Sequence, residues 1–280
     1  MPERILRKFP LGALVTAEEM QWCGRCDQCR FGQPNHCEAL EEIGFTRDGS
    51  HAELIAVDAR YLWPLAPLES RFGADAALRM GAMVEPYAVS YRALFQGAPG
   101  NRWAPGSRVV ILGAGPIGLA ALDLARAAGA ASIAVVEPRE DRRHLAMRFG
   151  AGAAREKPDD LPTSLEFDWV IDAAGAGHAA MEIAARHLSV GGSVCFLART
   201  DAPAAVWPEM LITKNARVFG SQGHSGEGAF RRVIDMMAEG LLHPLEMLEG
   251  VCSLPEAGGR LSRQHRGAGK ILVRPLSTDR

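Results

Sequence analysis

Four of the six cysteines lie between positions 23 and 37, spaced Cys23-x2-Cys26-x2-Cys29-x7-Cys37. Four thiolates on one short loop can surround a single ion tetrahedrally, with Zn–S distances of about 2.3 Å. Gly24 and Gly32 ease the turns this requires. Iron–sulfur ligation competes, because C-x2-C-x2-C also opens ferredoxin-type runs. There the fourth cysteine comes sooner and precedes a proline; here it follows seven residues and precedes Glu38. Disulfide pairing is the third reading. The spacing favours structural zinc, and a closed four-thiolate site leaves no open position for chemistry. His36 is adjacent, but four thiols already suffice.

A second pattern carries different chemistry. Val109-Val110-Ile111-Leu112-Gly113-Ala114-Gly115-Pro116-Ile117-Gly118 reads as a strand running through G-x-G-x-x-G into a helix. Gly113 permits a tight turn. Gly115 lets backbone approach a pyrophosphate, and Gly118 lets helix pack on strand. Pro116 and Ile117 open the helix, whose free N–H groups and dipole favour phosphate. Glu137, at the end of the next strand, suits the adenosine ribose hydroxyls and repels a 2′-phosphate, which favours NAD over NADP. Arg139, Arg142 and Arg143 argue the other way, since one of them could pair with that phosphate.

These residues need an α/β frame, and the chain supplies its rhythm. Strands are expected at Arg108–Leu112, Ser132–Val136, Asp168–Ala173, Gly192–Leu197 and Ala216–Ser221. Helices are expected at Met83–Gln96, Pro116–Ala128, Arg139–Phe149, His178–Leu188 and about 228–239. Alternation of this kind means right-handed crossovers and a mainly parallel sheet. The loops 173–175 and 197–199 fall at strand ends, where open sheets carry ligands. Pro99–Gly106 reads as a turn region. Residues 1–82 read as short strands and loops, among them Ala13–Thr16 and Ala52–Val57, and Lys270–Arg274 as a closing strand.

Composition bounds the rest. The 280 residues suggest about two domains, and a hydrophobic share of 48% supplies a core. A net charge of −2 and scattered arginines speak against a nucleic-acid partner. No run approaches the ~20 apolar residues that span a bilayer. The first 20 residues do not read as a signal peptide, and the cytoplasm is the expected compartment.

Taken together, the four-cysteine lobe, Val84-Glu85-Pro86, Gly113–Gly118 and Gly269-Lys270-Ile271-Leu272-Val273 resemble the zinc-dependent medium-chain alcohol/polyol dehydrogenases. Val15–Met20 and Gly220–Gly226 resemble the inosose/cyclitol branch. The resemblance implies a Rossmann-like doubly wound sheet over 83–242. It also implies a truncated GroES-like β-barrel domain with the zinc lobe, formed by 1–82 and 243–280. It implies NAD-linked, zinc-assisted oxidation of a secondary alcohol in a polyol or cyclitol by a homo-oligomer, the ion lowering the pKa of the substrate alcohol. Glu85 matches one ligand of the family's catalytic zinc. The other two, in a Cys-Gly-Ser-Asp-like and a Gly-His-Glu stretch, have no counterpart here, so a catalytic Zn2+ lacks most of its cage. A start codon placed too far downstream, or a gene fragment, is the simplest explanation. A non-catalytic NAD-binding sensor or interaction subunit is the alternative reading. Of the remaining candidates, Cys195 is expected to be a buried small hydrophobe. His224 lies in a Gly/Ser loop that could line the substrate cleft. Cys252, His178, His51 and Lys270 carry weaker signals.

Overall fold

The computed structural model describes residues 3–96, 103–261 and 267–275. They group into two compact units, Met1–Ala88 with Gly223–Arg280 and Val89–Gln222. The first unit opens with helix α1 (Glu3–Lys8), strands β1 (Val15–Ala17) and β2 (Met20–Gln21), helix α2 (Asp27–Arg30), and strands β3 (Glu41–Glu42) and β4 (Leu62–Pro64). Helices α3 (Ala66–Phe72) and α4 (Ala74–Gly81) follow, then α5 (Val84–Phe95), which is divided between the units at Ala88. β1 pairs antiparallel with β4, and β2 antiparallel with β3. The strand expected at Ala52–Val57 does not form. Apart from Glu53 it is a short apolar run in the sequence, but no ladder partner reaches it among the described residues, and Leu54 is 90% exposed. A strand without a neighbour leaves its backbone groups to water.

The second unit is built on six parallel strands: β5 (Arg108–Leu112), β6 (Ser132–Val136), β7 (Ala153–Arg155), β8 (Phe167–Asp172), β9 (Leu188–Phe196) and β10 (Arg217–Gly220). Between them run helices α6 (Pro116–Ala127), α7 (Glu140–Arg148), α8 (Gly177–His187) and α9 (Pro208–Thr213). The spatial order is β10-β9-β8-β5-β6-β7. The order reverses beside β5, so the carboxyl ends of β5 and β8 flank the crevice where such sheets take ligands. Central strands need apolar residues on both faces. Val109, Val110, Ile111, Val170 and Ile171 are accordingly fully buried. β7 escaped the sequence reading because three residues, Ala-Ala-Arg, carry no β-branched signal. Of the turn expected at Pro99–Gly106, residues 99–102 lie outside the described residues; Pro105 and Gly106 form a turn, with Gly106 at φ +89°.

The chain then returns to the first unit through α10 (Ala229–Ala238), β11 (Leu248–Ser253), α11 (Leu254–Leu261) and β12 (Lys270–Arg274), with β11 and β12 parallel. α10 groups here rather than within the expected 83–242 span. Its apolar face of Phe230, Val233, Ile234 and Met237 is buried, and Phe230 stacks on Trp63 at 6.3 Å between ring centroids.

One polar tie braces the amino ends of the parallel strands. Asp168 accepts from Arg108 N at 2.8 Å, Nε at 3.1 Å and Nη2 at 3.0 Å, and from Ser189 Oγ at 2.6 Å. Burial pushes the carboxyl up, but the Arg108 and Ser189 bonds outweigh it and hold the pKa down at about 2. The folded value lies below the unfolded one. The stabilisation is therefore complete above about pH 4 and disappears as pH falls through about 2. Asp168→Asn should cost about 1 kcal/mol at pH 7, after discounting for solvent screening at a side chain one-third exposed. The same substitution should cost almost nothing at pH 2. Urea denaturation of both proteins at the two pH values checks this; a pH-independent loss would contradict it.

Candidate functional site

In the nucleotide-type unit, each glycine of the 113–118 turn has a separate steric situation. Gly113 sits at φ +92°, and a Cβ there would lie 3.0 Å from Ala174 Cβ. At Gly118 a Cβ would lie 2.0 Å from the Gly113 carbonyl oxygen, so the helix seats on the turn only without a side chain. Gly115 faces open space. It caps α6 in an extended conformation (φ −74°, ψ 179°) with no side-chain hydrogen bond to the first turn. Pro116 and Ile117 begin the helix behind it. The helix start thus offers N–H groups to an anion, and among the described residues a Cβ at Gly115 would meet nothing within 4 Å.

The turn borders a cleft of about 480 Å³ lined by Gly113, Gly115, Glu137, Arg142, Lys157 and Ala174, among others. Glu137 is 4% exposed. Its Oε2 accepts from Ala114 N at 2.9 Å and its Oε1 from Arg139 N at 3.0 Å. A carboxylate has about four acceptor sites, so about two remain for hydroxyls in the cleft. The three arginines have different fates. Arg139 pairs with Asp141 at 2.5 Å, and Arg143 Nη1 donates to the Glu137 and Pro138 carbonyls at 2.9 and 2.6 Å. Arg142 stays in the cleft, its Nη1 3.9 Å from Glu137 Oε2.

The loop at Ala173 and Ala174 lines this cleft, whereas 197–199 does not. Asp172 shapes the former and was missed by sequence reasoning. It is fully buried, and its Oδ1 accepts from Ala174 N and Ala176 N at 3.0 Å each. An acid ending the apolar run Trp169-Val170-Ile171 was the available signal.

In the other unit, the Sγ atoms of Cys23, Cys26, Cys29 and Cys37 all lie within 4.8 Å of one another. Cys26 and Cys37 Sγ are 3.9 Å apart. Thiolates 2.3 Å from a tetrahedral ion stand about 3.8 Å apart, so one zinc fits. All six cysteines are free, which excludes the disulfide reading among them. A multi-iron cluster would spread its thiolates further, because they are divided among different irons. Backbone N–H groups already point at sulfur: Arg25 N and Cys26 N lie 3.4 and 3.3 Å from Cys23 Sγ, and Cys23 N 3.2 Å from Cys37 Sγ. The Arg25 and Cys26 N–H groups hold the Cys23 pKa down at about 6. N–H groups of Cys29 and Glu38 lower that of Cys26. Burial instead pushes Cys29 up to about 12. Gly24 at φ +75° makes the first turn of this loop, and the buried Tyr61 hydroxyl donates to the Trp22 carbonyl beside it.

Glu85 stands in the first turn of α5, half-buried. Burial raises its pKa; His224 and Lys270 oppose that, and Glu19 adds to it. His224 is 1% exposed, with Nε2 3.4 Å from Glu19 Oε2 and 3.8 Å from Glu85 Oε1. Glu19 and Glu18 were overlooked as site residues, since nothing in Val15–Met20 shows that it meets a loop some 200 positions later. Of the weaker candidates, Cys195 is buried, and burial pushes its thiol up to about 12. Cys252 is also buried, His51 is exposed, and exposed His178 pairs with Glu182.

A six-stranded doubly wound sheet with a glycine turn, in one chain with a four-thiol lobe, combines a dinucleotide-type unit with a lobe whose sulfurs are spaced for one metal ion. Comparison with known proteins agrees. The model for the alcohol dehydrogenase GroES-like domain matches residues 3–67, and the zinc-binding dehydrogenase model matches 116–239. The chain belongs to the zinc-binding alcohol dehydrogenase family, a class that works with zinc and a nicotinamide dinucleotide. It is 39% identical over 250 residues to the scyllo-inosose 3-dehydrogenase of Thermotoga maritima, covering 85% of this chain and 63% of that protein. A solved structure from the same organism, assigned as an alcohol dehydrogenase, superposes with a TM-score of 0.86 at 36% identity. That match covers 94% of this chain and 69% of the other. An NADP-bound structure from Sinorhizobium meliloti 1021, assigned as a zinc-binding dehydrogenase, gives 0.82 at 29% identity, covering 94% and 77%. The chain thus spans less than two thirds of the length of the inosose dehydrogenase. No helix among the described residues is long and apolar enough to cross a membrane.

The glycine geometry sets a differential test. Gly118→Ala should destabilise the protein by about 1–3 kcal/mol, because backbone must shift to admit the methyl. Gly115→Ala should change stability by less than about 0.5 kcal/mol. Denaturation midpoints measure both, and equal effects would contradict the packing described.

Proposed function

We propose that this chain serves NAD-dependent oxidation of a secondary alcohol in a polyol or cyclitol. Gly113, Gly115, Pro116, Ile117, Gly118, Glu137 and Arg142 hold the dinucleotide. Cys23, Cys26, Cys29 and Cys37 hold a structural zinc, and Glu85 supplies a ligand to a catalytic one. The observation that carries this is the open Gly115 corner at an uncapped helix start, with Glu137 at the far side of the same cleft. Glu137 and the engagement of Arg139 and Arg143 support NAD over NADP. Likeness to the inosose dehydrogenase supports the substrate class. The free cysteines suit a reducing compartment, the cytoplasm. Assembly as a homo-oligomer is part of the same reading.

The reaction removes two hydrogens from a carbinol: one leaves with its electron pair for the nicotinamide, the other as a proton. Zinc, when bound, supplies a charge that makes the alcohol easier to deprotonate. The chain's own residues handle the rest. Glu85 offers a carboxylate donor. His224, between Glu85 and Glu19, can hold the released proton at Nε2. The glycine turn and α6 fix the pyrophosphate, and Glu137 fixes the ribose.

One observation favours the alternative, a non-catalytic NAD-binding subunit. Among the described residues the thiol lobe is the only group of three or more donors close enough together to hold a metal. Metal analysis and assays on the purified 280-residue chain separate the two. The proposal expects zinc held by thiolates, NAD bound about tenfold or more tighter than NADP, and turnover of a polyol or cyclitol when zinc is supplied. Glu85→Gln should reduce that turnover by about a hundredfold or more with NAD affinity unchanged. NAD binding with no turnover across the panel, at any zinc level, would leave only the alternative.

A further inference from the structure

Asn35 lies between Cys29 and Cys37, in the short 3₁₀ turn Pro34–His36, with no solvent exposure. Its side-chain amide pairs twice with the backbone of one distant residue, Ser225. Nδ2 donates to the Ser225 carbonyl at 2.9 Å, and Ser225 N donates to Oδ1 at 2.8 Å. Both bonds are buried, so breaking them would leave polar groups without water. Gly223 is shaped to this contact: a Cβ there would lie 2.4 Å from both Asn35 Oδ1 and Met20 Sδ.

The residue held between Gly223 and Ser225 is His224. Its ring meets Phe230 edge-on at 5.2 Å, and its Nε2 faces Glu19 and Glu85. Ser225 Oγ donates to Glu18 at 2.5 Å and lies 3.4 Å from His224 Nδ1. Glu18 in turn accepts from Trp63 Nε1 at 2.9 Å. The loop that bears the histidine beside Glu85 is thus clamped at Ser225, and the clamp is carried by the cysteine loop.

We propose that the thiol lobe positions the Glu85 site: through Asn35, the metal-held loop fixes Ser225 and with it the ring of His224 against Glu19 and Glu85. Cys29 and Cys37 anchor the two ends of the segment that bears Asn35. With both sulfurs on an ion, that segment has one place to be. Without the ion its ends are free, the Asn35 amide loses its register on Ser225, and His224 turns away from Glu85. Coupling of this kind is reciprocal, so loosening the clamp must weaken metal retention. The inference rests on the reading of the four thiols as a zinc site and of Glu85 as a site residue. Asn35 and Ser225 act as positioning residues and not as catalytic ones.

The test uses the full zinc-loaded chain, labelled with 15N, and three variants. Nitrogen-15 NMR follows the Trp63 indole and the His224 ring, and competition with a chromogenic chelator follows zinc retention. Withdrawing zinc from the native chain should move both resonances. Asn35→Asp keeps the shape and the acceptor but loses the donor; Gly223→Ala jams the clamp from the opposite side. Each should weaken zinc retention about tenfold, although neither touches a cysteine sulfur. Ser225→Ala keeps both backbone bonds, so it should retain zinc normally while shifting His224. Zinc bound, with unchanged retention in Asn35→Asp and Gly223→Ala, or with His224 indifferent to its removal, overturns the inference alone. Thiols that take up no zinc at all overturn the zinc reading and the inference together.

Discussion

Four sulfur atoms within 4.8 Å of one another are the constraint on which the thiol-bearing unit depends. Its strands occur in pairs of two to six residues, and isolated two-stranded ladders are marginal in water. Such a unit needs a staple, and metal–thiolate bonds are the kind that couple directly to folding. Around that staple the buried polar contacts are arranged in depth. Tyr61 reaches the Trp22 carbonyl, Trp63 reaches Glu18, and Asn35 reaches Ser225. Each link joins segments that their own secondary structure could not hold in place.

The nucleotide-type unit follows another logic. Its six parallel strands bury their apolar residues on both faces, and Val110, Val170 and Val194 sit in one continuous core with Met181 and Ile183 of α8. It needs no staple. At Gly113 and Gly118 of the turn itself it carries no side chains, because a Cβ at either would run into neighbouring atoms. Backbone supplies the recognition instead: an uncapped helix start, a turn that only glycine permits, and two carboxylates that organise the neighbouring loops. Glu137 holds the glycine turn through Ala114, and Asp172 holds the facing loop through Ala174 and Ala176. Rigid loops at the carboxyl ends of strands are what a dinucleotide site requires.

Glu85 and His224 show how electrostatics and position interact. A half-buried carboxyl next to a second carboxylate has its pKa raised by both, and a buried imidazole between them opposes the shift. The arrangement is held by geometry, since the imidazole lies at 3.4 and 3.8 Å from the two acids.

Local spacing made much of this legible. The Cys23–Cys37 ladder, the strand–turn–helix at 108–127 and the acid at 137 are short-range patterns, each needing only a few neighbouring residues to state its geometry. The same locality explains the failures. Ala52–Val57 has a strand's apolar run but no partner, β7 has a partner but no signal, and α10 follows Trp63 and not the sheet before it in sequence. Asn35 and Ser225 are 190 positions apart, and His224 and Glu19 are 205 apart. No periodicity links such residues. The sequence alone determined the two ligand-type motifs, because a turn or a thiol ladder is closed by bonds among neighbours. Only the tertiary structure decided which histidine and which second glutamate accompany Glu85, because that choice depends on how distant loops pack and which buried polar groups they must satisfy.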